Sequence, residues 1–215
     1  MMLKNTYIII RNLHFEDWKT VYNYMNDFTN IRNKYTLDEI LLVEHYPIYT
    51  TGHVLNDDKK IKYIHNIPIT SSNRGGKITY HGPGQQIVYL LLNLKQNKIN
   101  IRQLLFYIEQ IVLNTLYTFS IIGNNNKLYP GIYVDSKKIC SIGLRIQKGC
   151  SLHGFALNVN MDLKPFFYIH PCGIQDMIMT QISDIKPEIS LYYVKKILIE
   201  NISTFFKILC IKNYF

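Results

Sequence analysis

The chain has 215 residues, 47% hydrophobic and 18% charged, a balance that excludes a disordered or collagen-like polymer and suits one globular domain over residues 1–215. No apolar run approaches the ~18 residues of a membrane span, and the N-terminus lacks the apolar core and cleavage site of a secretory signal, so a cytoplasmic protein with no membrane partner is expected. The net charge of +9 has two readings: a basic face for an acidic partner, or AT-rich coding DNA, because 33 Ile, 20 Asn and 17 Tyr accompany the lysines.

In chain order, residues 6–13 read as a strand and 14–35 as partly helical, with Phe15, Trp18, Val21, Tyr22 and Met25 at helical spacing. Residues 39–45 form an apolar run stopped by Pro47, which predicts a buried strand. A polar loop spans 50–62, a short strand 67–70, a Gly-rich segment 74–85 and an apolar strand 86–94. The spacing of Leu104, Leu105, Ile108, Ile111, Val112 and Leu116 predicts a helix over 100–119. Segments 131–134, 138–147 and 151–159 read as three strands with short connections, hence antiparallel. Residues 166–185 are irregular with a short helix, and 187–209 is a terminal amphipathic helix with Pro187 in its first turn. The fold class expected is α/β (α+β): a mixed, largely antiparallel sheet flanked by helices.

Three segments carry more chemistry than packing requires. In Arg74-Gly75-Gly76-Lys77-Ile78-Thr79-Tyr80-His81-Gly82-Pro83-Gly84-Gln85, four glycines let the backbone approach a ligand and expose its N–H groups. It contains neither a Walker motif nor GxGxxG. The second segment joins residues 137–143 to 153–158. Strand alternation places Lys138, Cys140 and Ile142 on one face and Ile139, Ser141 and Gly143 on the other. The third is His170-Pro171-Cys172-Gly173, where a cysteine between proline and glycine sits on a bent loop suited to presenting a nucleophile. Cys140, Cys150 and Cys210 read as small buried hydrophobes. No CxxC pair or zinc-ligand spacing occurs, so neither a disulfide framework nor a metal is expected. The basic residues are dispersed and form no aromatic-interleaved stripe, so no nucleic-acid partner is expected.

The segments RGGKITYHGPGQ (74–85), KKICSIGLRI (137–146), HGFALNVNMDL (153–163) and HPCG (170–173), in this order and spacing, resemble the lipoyl(octanoyl) transferase family. TLDEILLVEHYP (36–47) and QIVYLLLNLK (86–95) extend the likeness, most closely to the enterobacterial form. The resemblance implies the fold of biotin and lipoate protein ligase catalytic domains. It also implies transfer of an octanoyl group from acyl carrier protein to a lysine on the lipoyl domains of 2-oxoacid dehydrogenases and of the glycine cleavage H protein, without a cofactor. Cys172 aligns with the family's acyl-thioester nucleophile and Lys138 with its catalytic lysine. Arg74, Gly75, Gly76, Lys77, Ile78, Thr79, Tyr80 and His81, with Ser141, Ile142, Gly143, Gly154, Phe155 and Ala156, match the stretches that line the acyl pocket. Ile142, Leu144, Phe155 and Leu157 are candidate walls, and Lys77, Lys137, Arg145 and Lys148 a candidate docking face. Either Lys138 or a histidine could take the acceptor lysine's proton. The alternative, an ATP-dependent ligase of the same fold, needs no cysteine nucleophile.

Overall fold

A computed structural model describes residues 7–52, 62–126, 128–175, 177–206 and 211–213. Twelve strands are β1 (Ile8–Glu16), β2 (Asp38–His45), β3 (Ile48–Thr51), β4 (Tyr63–Ile64), β5 (Ile67–Ser71), β6 (Thr79–His81), β7 (Gln85–Leu91), β8 (Asn124–Asn125), β9 (Gly131–Val134), β10 (Lys137–Gln147), β11 (Cys150–Asn158) and β12 (Ile211–Asn213). Four helices, α1 (Trp18–Ile31), α2 (Ile101–Thr118), α3 (Ile182–Ile185) and α4 (Leu191–Phe206), accompany them. Eight strands form one sheet in the order β12-β1-β2-β7-β11-β10-β9-β8. The β12–β1 and β1–β2 pairs are parallel and the rest antiparallel, the mixed sheet expected. A smaller sheet, β4-β5-β3-β6, lies beside it.

The helices begin where the sequence supplies a cap. Asp17 accepts from the Thr20 amide at 3.0 Å and opens α1. Asn100 and Gln103 exchange two 2.9 Å bonds, a capping box that opens α2. The last helix starts at Leu191, after Ser190, so Pro187 lies in the preceding turn and not in its first turn. Its residues 207–209, like Thr6 and Cys210, lie outside the described residues. The first strand runs on to Glu16 because His14, at φ +54°, makes an irregularity that β2 tolerates.

The two faces of the large sheet bury different partners. Helices α2 and α4 cover one, packing Leu104, Ile108, Ile111, Val194, Leu198 and Ile202 against Ile40, Leu42, Val88, Leu90 and Leu157. Helix α1 covers part of the other, with Val21 and Met25 on Leu41, Val43, Ile87, Tyr89 and Ala156. The rest of that second face lies under the loop of residues 72–78. In the middle of the sheet, a Cβ on Gly154 would overlap the Val88 carbonyl oxygen, a backbone atom that cannot step aside. Gly154→Ala is therefore expected to push β11 off β7 and lower stability by about 3 kcal/mol, a fall of ~6–12 °C in Tm for a chain this size. A melt within ~2 °C of the parent would show that the strands can part freely.

Candidate active site

One pocket lies between the second sheet face and the 72–78 loop. Arg74, Gly75, Gly76, Lys77, Ile78, Thr79 and His81 line it from above. Lys138, Ser141, Ile142, Gly143, Gly154, Phe155 and Ala156 line it from the sheet. The three sequence segments thus converge on a single cavity. Pro171, from the HPCG segment, completes the rim. The loop is pinned where it crosses β10: the Gly75 amide donates to the Leu144 carbonyl at 3.0 Å, and Arg74 Nη2 donates to the Thr50 carbonyl at 2.6 Å. A Cβ on Gly143 would press on Arg74 Cδ at 3.3 Å, so glycine there lets the arginine stem lie across the strand.

Lys138 reaches this pocket by breaking the alternation of its strand. The β10–β9 register shifts between Lys138 and Cys140, so Ile139 and Cys140 both turn into the α2-side core while Lys138 joins the opposite face. The expected sharing of a face by Lys138 and Cys140 is therefore corrected. Lys138 is fully buried, its Nζ donating to the Pro130 carbonyl at 3.0 Å and lying 5.4 Å from the Tyr133 ring centroid. Gly131, at φ +148°, makes this path possible: a Cβ there would overlap Lys138 Cε.

Cys172 has its backbone in a 3-10 turn, Pro171–Gly173, closed by the Gly173 amide donating to the His170 carbonyl at 2.8 Å. Its side chain lies outside the described residues. The segment that follows is tied to the lysine's strand: the Lys138 amide donates to the Ile178 carbonyl, and the Thr180 amide to the Lys138 carbonyl, both at 2.9 Å. On the other side, Gly173, at φ +69°, lies against the Lys77 side chain of the overhead loop. Pro171 of the cysteine's turn thus lines the same pocket as Lys138, with Lys77 against Gly173. Cys140, by contrast, is fully buried, and burial pushes its thiol up to about 12, with Lys138 pulling the other way. Cys150 is buried and free as well.

Three histidines cluster near the pocket, and burial holds each of them neutral. Desolvation lowers His81 to about 3, helped by nearby His45 and Arg74. It lowers His153 to about 3, with Arg74 and Arg145 assisting, and His45 to about 4. The hydrogen-bond network also assigns the tautomer of His81. Gln85 Nε2 donates to the Asn158 Oδ1 and Tyr80 carbonyl oxygens, which leaves Gln85 Oε1 to accept from His81 Nδ1 at 2.8 Å. His81 Nε2 then accepts from the Thr50 hydroxyl at 3.3 Å. His153 Nε2 donates to Asn73 Oδ1 at 2.6 Å, the Asn73 amide nitrogen being turned to Asn26.

Some expected site residues lie elsewhere. Tyr80 points away from the pocket and packs on Tyr49 and Phe166, because β6 alternates and His81 takes the site face. Leu144 and Leu157 belong to the α2-side core and are not walls, whereas Ile142 and Phe155 do contribute to the lining. The candidate docking lysines do not form one face. Lys137 opens the 11-residue strand β10 and Lys148 follows its last residue, roughly 35 Å away along the strand. Trp18, Ser72, Ile87 and Tyr89 line the pocket without having been singled out by motif. Among the described residues no group of three or more His, Cys, Asp or Glu is placed to hold a metal ion, and no helix is long and apolar enough to cross a membrane.

Residues 23–203 match the family described as the lipoyl protein ligase A/B catalytic domain, and the chain belongs to that family. It is 52% identical over 211 residues to an octanoyltransferase of Buchnera aphidicola, covering 98% of this chain and all of that one. It is 48% identical over 195 residues to the octanoyltransferase of Escherichia coli, covering 91% of each. The enzyme is accordingly an acyltransferase. The fold is shared with a lipoate protein ligase of T. acidophilum (TM-score 0.78, 15% identity, 99% of this chain and 90% of that one). It is shared less closely with the biotin protein ligase of Aquifex aeolicus (TM-score 0.59, 17% identity, 95% and 71%).

Proposed function

We propose that the protein takes an octanoyl group from octanoyl-acyl carrier protein onto Cys172 and passes it to the lysine of a lipoyl domain. The observation that carries this is the convergence of the HPCG turn and the buried Lys138 on one pocket floored by small residues. A thiol of ordinary pKa ~8.5 is only a few per cent ionised at neutral pH, so it needs a nearby base or cation. Lys138 serves as that partner. The Cys172 thiolate attacks the thioester carbonyl, a new C–S bond forms, and the carrier's sulfur leaves and takes a proton from the Lys138 ammonium. One thioester replaces another, so ATP is not required. In the 74–76 loop the Arg74 amide donates to Ser72 Oγ and the Gly75 amide to the Leu144 carbonyl, so the Gly76 N–H is the one suited to the developing oxyanion, a contribution worth about 3 kcal/mol in such sites.

In the second half the neutral acceptor amine attacks the acyl-enzyme, a C–N bond forms and Cys172 departs as thiolate. The proton released from the new amide nitrogen goes to neutral Lys138. His81 and His153, the two histidines that line the pocket, are poorly suited to that task. His81 has both ring nitrogens engaged and His153 spends its Nε2 proton on Asn73, while both are lowered to about 3. Lipoyl-domain acceptors follow from the octanoyltransferase relatives. Lys77, at the rim beside Gly173, is the basic residue best placed to meet an acidic carrier.

Incubation with octanoyl-acyl carrier protein, without ATP, should add one octanoyl group to the intact mass. Hydroxylamine should release it, and Cys172→Ser should abolish its hydroxylamine lability or its formation. Transfer from free octanoate only when ATP is present would sink the thioester reading and make the enzyme a ligase.

A further inference from the structure

The pocket floor has a direction that the strand registers reveal. Two rows cross from β10 through β11 to β7: Ser141, Ala156 and Ile87 stand opposite one another in the first, and Gly143, Gly154 and Tyr89 in the second. Each row runs small, small, large. Lys138 Nζ lies beside Gly131, whose register partner is Ser141, so the reacting carbonyl belongs at the small end of the first row. Two strand steps of ~4.8 Å separate that end from the large residues. An extended eight-carbon acyl chain has seven carbon–carbon bonds of ~1.5 Å in zigzag, a span of roughly 9 Å. The floor is one octanoyl chain wide.

At the large end the wall is rigid. His45 Nδ1 donates to the Glu16 carbonyl at 2.7 Å, so its Nε2 is the acceptor for the Tyr89 hydroxyl at 2.9 Å. Trp18 lines the same pocket as Tyr89. The Trp18 ring is stacked on Tyr22 at 4.7 Å, and the His153 ring lies 6.1 Å from both Tyr22 and Tyr89. Trp18 is 3% exposed and Tyr89 4%. A buried phenol whose hydroxyl donates to an imidazole cannot swing away to admit another methylene without breaking that hydrogen bond.

We propose that Trp18, stacked on Tyr22, and Tyr89, tied to His45, form a stop that sets the length of the acyl chain at about eight carbons. This deepens the octanoyl-transfer reading and rests on it. Opening the stop lets a longer chain bury further methylenes, each worth about fourfold in binding.

The length preference can be read twice in the wild type, Trp18→Ala and Tyr89→Phe. Calorimetric binding of free octanoic, decanoic and dodecanoic acids requires no chemistry. Transfer from the corresponding acyl carrier thioesters to a lipoyl domain reads the reaction. In Trp18→Ala the dodecanoyl-to-octanoyl ratio should rise at least tenfold by both measures, and Tyr89→Phe, which keeps the ring but unties it, should raise the ratio by less. A gain on the longer chain cannot come from a misfolded protein. Unchanged ratios in both variants, or equal losses at every length, would overturn the stop. A wild type that binds by length as described yet forms no acyl-enzyme would leave the stop standing and remove the thioester mechanism.

Discussion

Lys138→Met is expected to slow octanoyl transfer by two to four orders of magnitude while leaving the fold in place. Methionine keeps most of the stem that crosses Gly131, so the packing against Tyr133 survives and the loss falls on the ammonium. Two contributions combine in that loss. Without a neighbouring cation the thiol reverts toward ~8.5 and only a few per cent is thiolate at pH 7, which by itself accounts for at most one to two orders. The remainder is proton transfer to the departing carrier thiol and from the attacking amine. The pH dependence separates them. Acylation by Lys138→Met should recover and level off as pH is raised through ~8.5, whereas the second half should keep rising toward the acceptor amine's ~10.4. Single-turnover formation and decay of the acyl-enzyme measure each half. Rates within a few-fold of wild type in both halves would remove Lys138 from the chemistry.

The elements that positioned this site were legible where their signal was local. Helix α2 announced itself through its apolar spacing, and the three strands β9, β10 and β11 through their short turns. Strands β3 and β6 were not marked out, because three or four residues give too few alternations to distinguish a strand from a polar loop. Lys138 is the instructive case. Period-two counting put it with Cys140, and a single inserted residue opposite β9 moved it to the other face of the sheet. A bulge has no composition signature, so only the register between two strands exposes it. The loop and floor residues were found because they lie in contiguous motifs, whereas Trp18 and Tyr89 are 71 residues apart and ordinary as single residues. Their meeting is a property of α1 crossing β7, which no sequence window contains.

Moving from pH 7.5 to 5.5 is expected to lower stability by about 4 kcal/mol, or ~8–16 °C in Tm, well before the carboxylates titrate. The cause is the histidine cluster. His45, His81 and His153 are held neutral down to about 4, 3 and 3, while in the unfolded chain each titrates near 6.5. Their folded values lie below the unfolded one, so the unfolded state binds more protons between those limits and stability falls as pH falls. The contribution is whole above ~6.5 and is lost progressively toward the folded values. At pH 5.5 each unfolded imidazole gains about 1.4 kcal/mol from protonation that its folded counterpart cannot take up, and three such groups give the total. Arg74 strengthens the effect, because it opposes a second positive charge at both His81 and His153. Urea melts at the two pH values measure the loss directly, and His81→Gln should remove about a third of it. A loss under ~1 kcal/mol would mean that these histidines open to solvent in the folded protein. The low proton affinity that makes them poor bases for the acceptor lysine would then go with it, so the same titration bears on the fold and on the choice of Lys138.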